Sequence, residues 1–77
     1  MLHVFITLGT YDYEGSSVLG IASTLEDAKK LADRKDNSGF DIYRVEEHTQ
    51  DERVASYVFR PDDAALGWVK RENYWKR

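Results

Sequence analysis

Cysteine is absent from this 77-residue chain, so no disulfide staples its core and no thiolate is available to hold a metal. Proline occurs once, at Pro61, and histidine twice, at His3 and His48. A zinc site would need both histidines together with carboxylates such as Glu46 or Glu47, and two scattered histidines read more simply as solvated side chains. Asp12, Glu14 and Gly15 fall short of a calcium loop, because the later oxygen donors and the closing glutamate are missing. No apolar run approaches the roughly 18 residues of a membrane span. The amino terminus carries no basic leader, and Gly9 and Thr10 interrupt the first apolar run before a signal-peptide core is complete, so the expected location is cytoplasmic.

Signatures of catalysis are missing as well. None of Ser16, Ser17, Ser23, Ser38 and Ser56 sits in a nucleophile elbow, and no glycine cluster matches a phosphate loop. The adjacent carboxylates Glu46 and Glu47 fall on a strand, where neighbours point to opposite faces. Asp62 and Asp63 follow Pro61 and are explained by the start of a helix. A chain this short also has little volume for a closed pocket. The expectation is a protein that is not an enzyme and that needs neither cofactor nor metal.

What is present is an ordered series of local patterns. Leu2, Val4, Ile6 and Leu8 alternate with His3, Phe5 and Thr7, the period of a strand with one face in the core, although Phe5 keeps the second face from being fully polar. Residues 9–17 suit a hairpin loop, and residues 18–22 return as its partner strand, with Gly20 permitting a bulge or a close backbone approach. Thr24 with Asp27, or Ser23 with Glu26, makes a capping box. The helix it opens, about 25–35, places Leu25, Ala28, Leu31 and Ala32 on one face. Residues 40–47 and 54–59 read as two further strands separated by a polar turn. A short helix follows near 61–66, and 68–77 is either a terminal strand or a tail.

These elements predict a single domain, 1–77, of the α+β class: a mainly antiparallel sheet of four or five strands with the main helix on one face. One helix cannot cover a sheet on both sides. Phe5, Tyr57 and Phe59 are expected to need a cover from Trp68 or Trp75, or from a second copy of the chain in a homodimer.

Charge divides along the sequence. Residues 1–52 hold eleven acids against five bases, a net of −6, whereas residues 53–77 hold six bases against three acids, a net of +3. Two surfaces follow. Tyr11, Asp12, Tyr13 and Glu14 at the hairpin tip, with Glu26, Asp27, Glu46 and Glu47, form an acidic, tyrosine-bearing set suited to a basic or nucleic-acid-binding protein partner. Lys70, Arg71, Tyr74, Trp75, Lys76 and Arg77 have the cation and ring composition of a single-stranded nucleic-acid contact. The overall acidity argues against nucleic acid as the principal partner. The first choice is therefore a noncatalytic protein-binding module with an acidic surface, and the alternative is a small regulator that touches single-stranded nucleic acid through its carboxyl-terminal segment.

Residues 2–47 resemble a group of small phage and bacterial domains without assigned activity. The resemblance is carried by Val4-Phe5-Ile6, the turn from Tyr11 to Gly15, the strand end Leu19-Gly20-Ile21-Ala22-Ser23 and the helix opening Thr24-Leu25-Glu26-Asp27-Ala28. It implies a hairpin feeding a capped helix and then a strand, and a mobile-element origin. It transfers no ligand residues, and the segment from Trp68 onward lies outside it.

Overall fold

A computed structural model of the chain describes residues 3–11, 15–34, 39–50 and 52–71. The elements in order are β1 (Val4–Tyr11), β2 (Gly15–Ala22), α1 (Leu25–Asp33), β3 (Ile42–His48), β4 (Arg53–Phe59), a 3₁₀ segment (Pro61–Leu66) and β5 (Val69–Arg71). The five strands form one sheet in the order β2-β1-β3-β4-β5, with every neighbouring pair antiparallel. The α+β class, the antiparallel sheet and the single main helix agree with the sequence reading. Because β2 and β3 both run against β1, they are parallel to each other with β1 between them, and α1 makes the crossover of a split β-α-β unit.

Local chemistry fixes the helix. Thr24, in extended backbone, accepts the Asp27 amide on Oγ1 at 3.2 Å, so the structure selects Thr24 over Ser23 as the cap. Glu26 and Asp27 sit in the first turn, where acidic groups complement the helix dipole. Arg34 is already extended, which ends α1 after Asp33. The buried stripe is Ala28 and Ala32, and such small residues let the helix axis approach the sheet.

Two glycines take up that approach. A Cβ on Gly20 of β2 would lie 2.7 Å from Leu31 Cδ1 of α1, so the strand's missing side chain makes room for the helix. A Cβ on Gly9 of β1 would fall 2.5 to 2.7 Å from the Phe40 ring, which occupies the place of the absent side chain. Gly20 also borders an irregularity: Thr7 pairs with Gly20 but Leu8 with Val18, leaving Leu19 as an extra residue in β2.

The position of α1 decides which sheet face is the core. Thr7 Oγ1, fully buried, donates to the Ala28 carbonyl at 2.8 Å, and Phe5 and Val45 pack with Ala28. Phe5, Thr7 and Gly9 therefore face the helix, together with their register partners Glu47, Val45 and Tyr43. The period-2 reading of β1 holds, but Val4, Ile6 and Leu8 lie on the face opposite the helix. Aliphatic content alone points to the wrong side because the helix selects small and aromatic side chains.

An aromatic row completes the helix face beyond the reach of α1. Tyr11 packs on Phe40 (centroids 4.7 Å apart), Phe40 on Tyr43 (5.8 Å), Tyr43 on Phe59 (6.5 Å) and Phe59 stacks with Trp68 (5.5 Å). Trp68 also packs against the Phe5, Ala28 and Val45 cluster, so it covers the side on which Phe5, Tyr57 and Phe59 lie. Trp75 lies outside the described residues. Of the carboxyl-terminal segment, Val69–Arg71 forms a terminal strand paired with β4.

Candidate functional site

The register assigns the opposite, open face. It carries Val4, Ile6, Leu8 and Thr10 of β1, Val18 and Ile21 of β2, Ile42, Arg44, Glu46 and His48 of β3, Ser56 and Val58 of β4, and Val69 and Arg71 of β5. Its edges are bare: Val18, Ile21 and Val69 are 63 %, 66 % and 40 % exposed. Leu66, in the 3₁₀ segment beside it, is 64 % exposed. Apolar side chains left in water in this number on one face are a mark of an interaction surface.

Two confluent depressions open on this face. One, of about 190 Å³, is lined by Thr10, Ile42, Arg44, Val58, Arg60 and Arg71. Its neighbour, of about 150 Å³, shares Val58, Arg60 and Arg71 and adds Asp63, Leu66, Gly67 and Val69. Three arginines, Arg44, Arg60 and Arg71, thus line one depression together with Ile42 and Val58. Arg60 enters here because β4 ends at Phe59 and Pro61 opens the 3₁₀ segment, turning the chain past the end of the sheet.

Beside the depressions, Glu46 gathers bases. Its Oε2 lies 2.9 Å from Arg53 Nη1 and 3.2 Å from Arg44 Nε, and its Oε1 lies 3.1 Å from His48 Nε2. Burial pushes the Glu46 carboxyl up, yet the His48 hydrogen bond and the Arg44 and Arg53 charges outweigh it and hold the group below the ordinary 4.5. Ser56 Oγ is buried on this side of β4 with no hydrogen-bond partner among the described residues, and Arg44 Nε, also buried, has the ion-pair contact with Glu46 but no hydrogen bond. Such groups are uncommon in folded proteins.

Glu47 is occupied on the helix side. His3 Nδ1 lies 2.7 Å from its Oε2, and the Tyr57 hydroxyl donates to its Oε1 at 3.1 Å. Burial and the Glu47 carboxylate together push the Tyr57 hydroxyl above its usual value. The arrangement ties the start of the chain to β3 and β4. It leaves both carboxylate oxygens engaged.

The residues singled out from sequence are dispersed by the fold. Tyr11 is at the sheet end with its ring on Phe40. Glu26 and Asp27 are exposed at the start of α1, and Asp27 lies 3.9 Å from Lys30. Glu46 and Glu47 project to opposite faces, Glu46 among bases and Glu47 between His3 and Tyr57. Asp12, Tyr13 and Glu14 lie outside the described residues. In the basic segment, Lys70 lies on the helix face with Nζ 5.8 Å from the Tyr57 ring centre, whereas Arg71 lies on the open face. Tyr74, Trp75, Lys76 and Arg77 lie outside the described residues.

Sequence reasoning missed Arg44, Arg60, Val18 and Ile21 as members of one surface. A signal was present at Arg44, a cation between Tyr43 and Val45 in an otherwise apolar run, but its union with Arg60 and Arg71 depends on strand order. No family model, no curated protein and no solved structure matches this chain. Among the described residues no helix is long and apolar enough to cross a membrane, and no group of three metal-ligating side chains occurs.

Proposed function

We propose that the protein is a noncatalytic binding module that docks another protein on the open face of its sheet. The observation that carries this reading is the exposure of Val18, Ile21 and Val69 on a face whose other side already has its helix and its tryptophan. Open aliphatic surface gains from being covered, at about 25 cal/mol per Å² removed from water. A different protein fits better than a second copy. Glu46, already held by Arg53 and His48, and Asp63 are the acidic side chains placed on this face against Arg44, Arg53, Arg60 and Arg71, so a twin face would meet these arginines with more positive than negative charge.

The alternative, single-stranded nucleic acid held through Lys70, Arg71, Tyr74, Trp75, Lys76 and Arg77, draws its rings from Tyr74 and Trp75, which lie outside the described residues, and gains no support from the rings of the sheet. Base stacking needs free rings. Tyr11, Phe40, Tyr43, Phe59 and Trp68 are stacked on one another along the helix side.

A photo-crosslinker placed at Ile21 and, separately, at Lys30 on the exposed side of α1 tests the proposal. The expected result is a partner protein captured from Ile21 but not from Lys30, which on purification slows amide exchange in the strands bearing Ile6, Ile21 and Val58. Equal capture from both positions, or protection confined to α1, would refute it.

A further inference from the structure

Resting on the open-face reading, the side chains there also specify the chemistry of what docks. Arg44, Arg60 and Arg71 line the same depression, over Ile42 and Val58. Among the described residues neither the Arg60 nor the Arg71 side chain makes an ion pair or hydrogen bond, and Arg44 shares Glu46 with Arg53 and His48. Glu46 and Asp63 stand against Arg44, Arg53, Arg60 and Arg71, an excess of positive charge on one face of a chain whose net charge is −3. Guanidinium groups pair with carboxylates in two-point contacts, and the pairing is strongest where water is partly excluded by apolar neighbours. On β2 and β1 the aliphatic stripe of Ile21, Val18, Ile6 and Leu8 runs up to Arg44 and Glu46 of β3, and Val58 and Val69 lie beyond Arg44.

We propose that the open face receives an acidic amphipathic helix of the partner protein, its aliphatic side chains on the Ile6, Leu8 and Ile21 stripe and its carboxylates on Arg44, Arg60 and Arg71. A helix is the natural second layer for a sheet that has one on its other face, and a helix places acidic residues one turn apart along the flank of an apolar stripe. The charge pairing sets orientation and the association rate, while the aliphatic contact supplies most of the affinity.

Fluorescence anisotropy with a labelled synthetic helix, leucine along one face and glutamate on its flanks, tests this on the full chain. Controls are the same peptide with lysine for glutamate, one with serine for leucine, and labelled oligodeoxythymidine. The acidic amphipathic helix is expected to bind at least about tenfold more tightly than any control, and to lose about tenfold or more with R60E/R71E while the lysine variant R60K/R71K keeps part of it. Circular dichroism of each variant establishes that the fold is retained, and R44Q provides a milder variant if the double reversal fails to fold. Retention of binding in R60E/R71E with loss in I21D would overturn the arginine assignment and leave open-face docking intact. Retention in both would overturn the two together. Tighter arginine-dependent binding of oligodeoxythymidine would replace the acidic helix by a nucleic-acid phosphate chain.

Discussion

Aromatic and small side chains predominate on the helix face of the sheet, and aliphatic and charged ones on the open face. Phe5, Thr7, Gly9, Gly20 and Ala55 share the first, with Tyr43, Tyr57 and Phe59 filling the margin. Val4, Ile6, Leu8, Ile21 and Val58 share the second with Arg44, Glu46 and His48. The contrast follows from geometry. A helix that approaches closely enough for Thr7 to bond the Ala28 carbonyl is met by Thr7 and Gly20 where it comes nearest, with Phe5 and Val45 packed on Ala28 and broader rings filling the wedge toward β4. Apart from Val45, the branched aliphatics of the central strands, which favour the pleated backbone, are left to the face with no resident cover.

The largest effect expected from breaking this contrast is on the helix side. Phe5→Ala removes the ring that packs with Ala28 and Val45 and should lower unfolding free energy by about 3 kcal/mol, measured by urea titration. A loss below about 1 kcal/mol would show that the helix face is not the core. Thr7→Val keeps the shape but removes the hydroxyl bonded to Ala28, and should cost about 1 kcal/mol by the same titration.

How much of this was legible in the sequence depends on which interactions are local. The cap at Thr24, the strand period of β1 and the short helical segment after Pro61 are written in neighbouring residues and were readable. The side chosen by α1 was not, because Val4, Ile6 and Leu8 outnumber Phe5 in aliphatic character and the deciding features, Gly20 beneath Leu31 and Thr7 beneath Ala28, are long-range. The acidic pair Glu46 and Glu47 read as one patch, yet strand alternation sends one carboxylate to each face. Arg44, Arg60 and Arg71 are distant in sequence and converge only through the β3-β4-β5 order.

The charged part of the open face predicts a pH effect. Glu46 is held below its ordinary 4.5, so its contribution to stability is present above that value and is lost as pH falls through the lower folded value. Glu46→Gln should therefore flatten the acid limb of the stability curve, read as the urea midpoint against pH, with little change in slope near neutrality. An unchanged acid limb would mean that Arg53 and His48 do not hold this carboxylate in solution.

The smallest expected effect sharpens the contrast from the other side. Ile21→Ser, at a side chain 66 % exposed, should change stability by no more than about 0.5 kcal/mol in the isolated chain, while weakening capture of a partner.

Methyl NMR of the isolated chain with a soluble paramagnetic agent bears most directly on the two-face account. The Val45 methyls, fully buried beneath α1, should be protected, and those of Val18, Ile21 and Val69 should broaden strongly. Protection of Val18, Ile21 and Val69 equal to that of Val45 would mean that the aliphatic face is already covered, and would contradict an open docking surface.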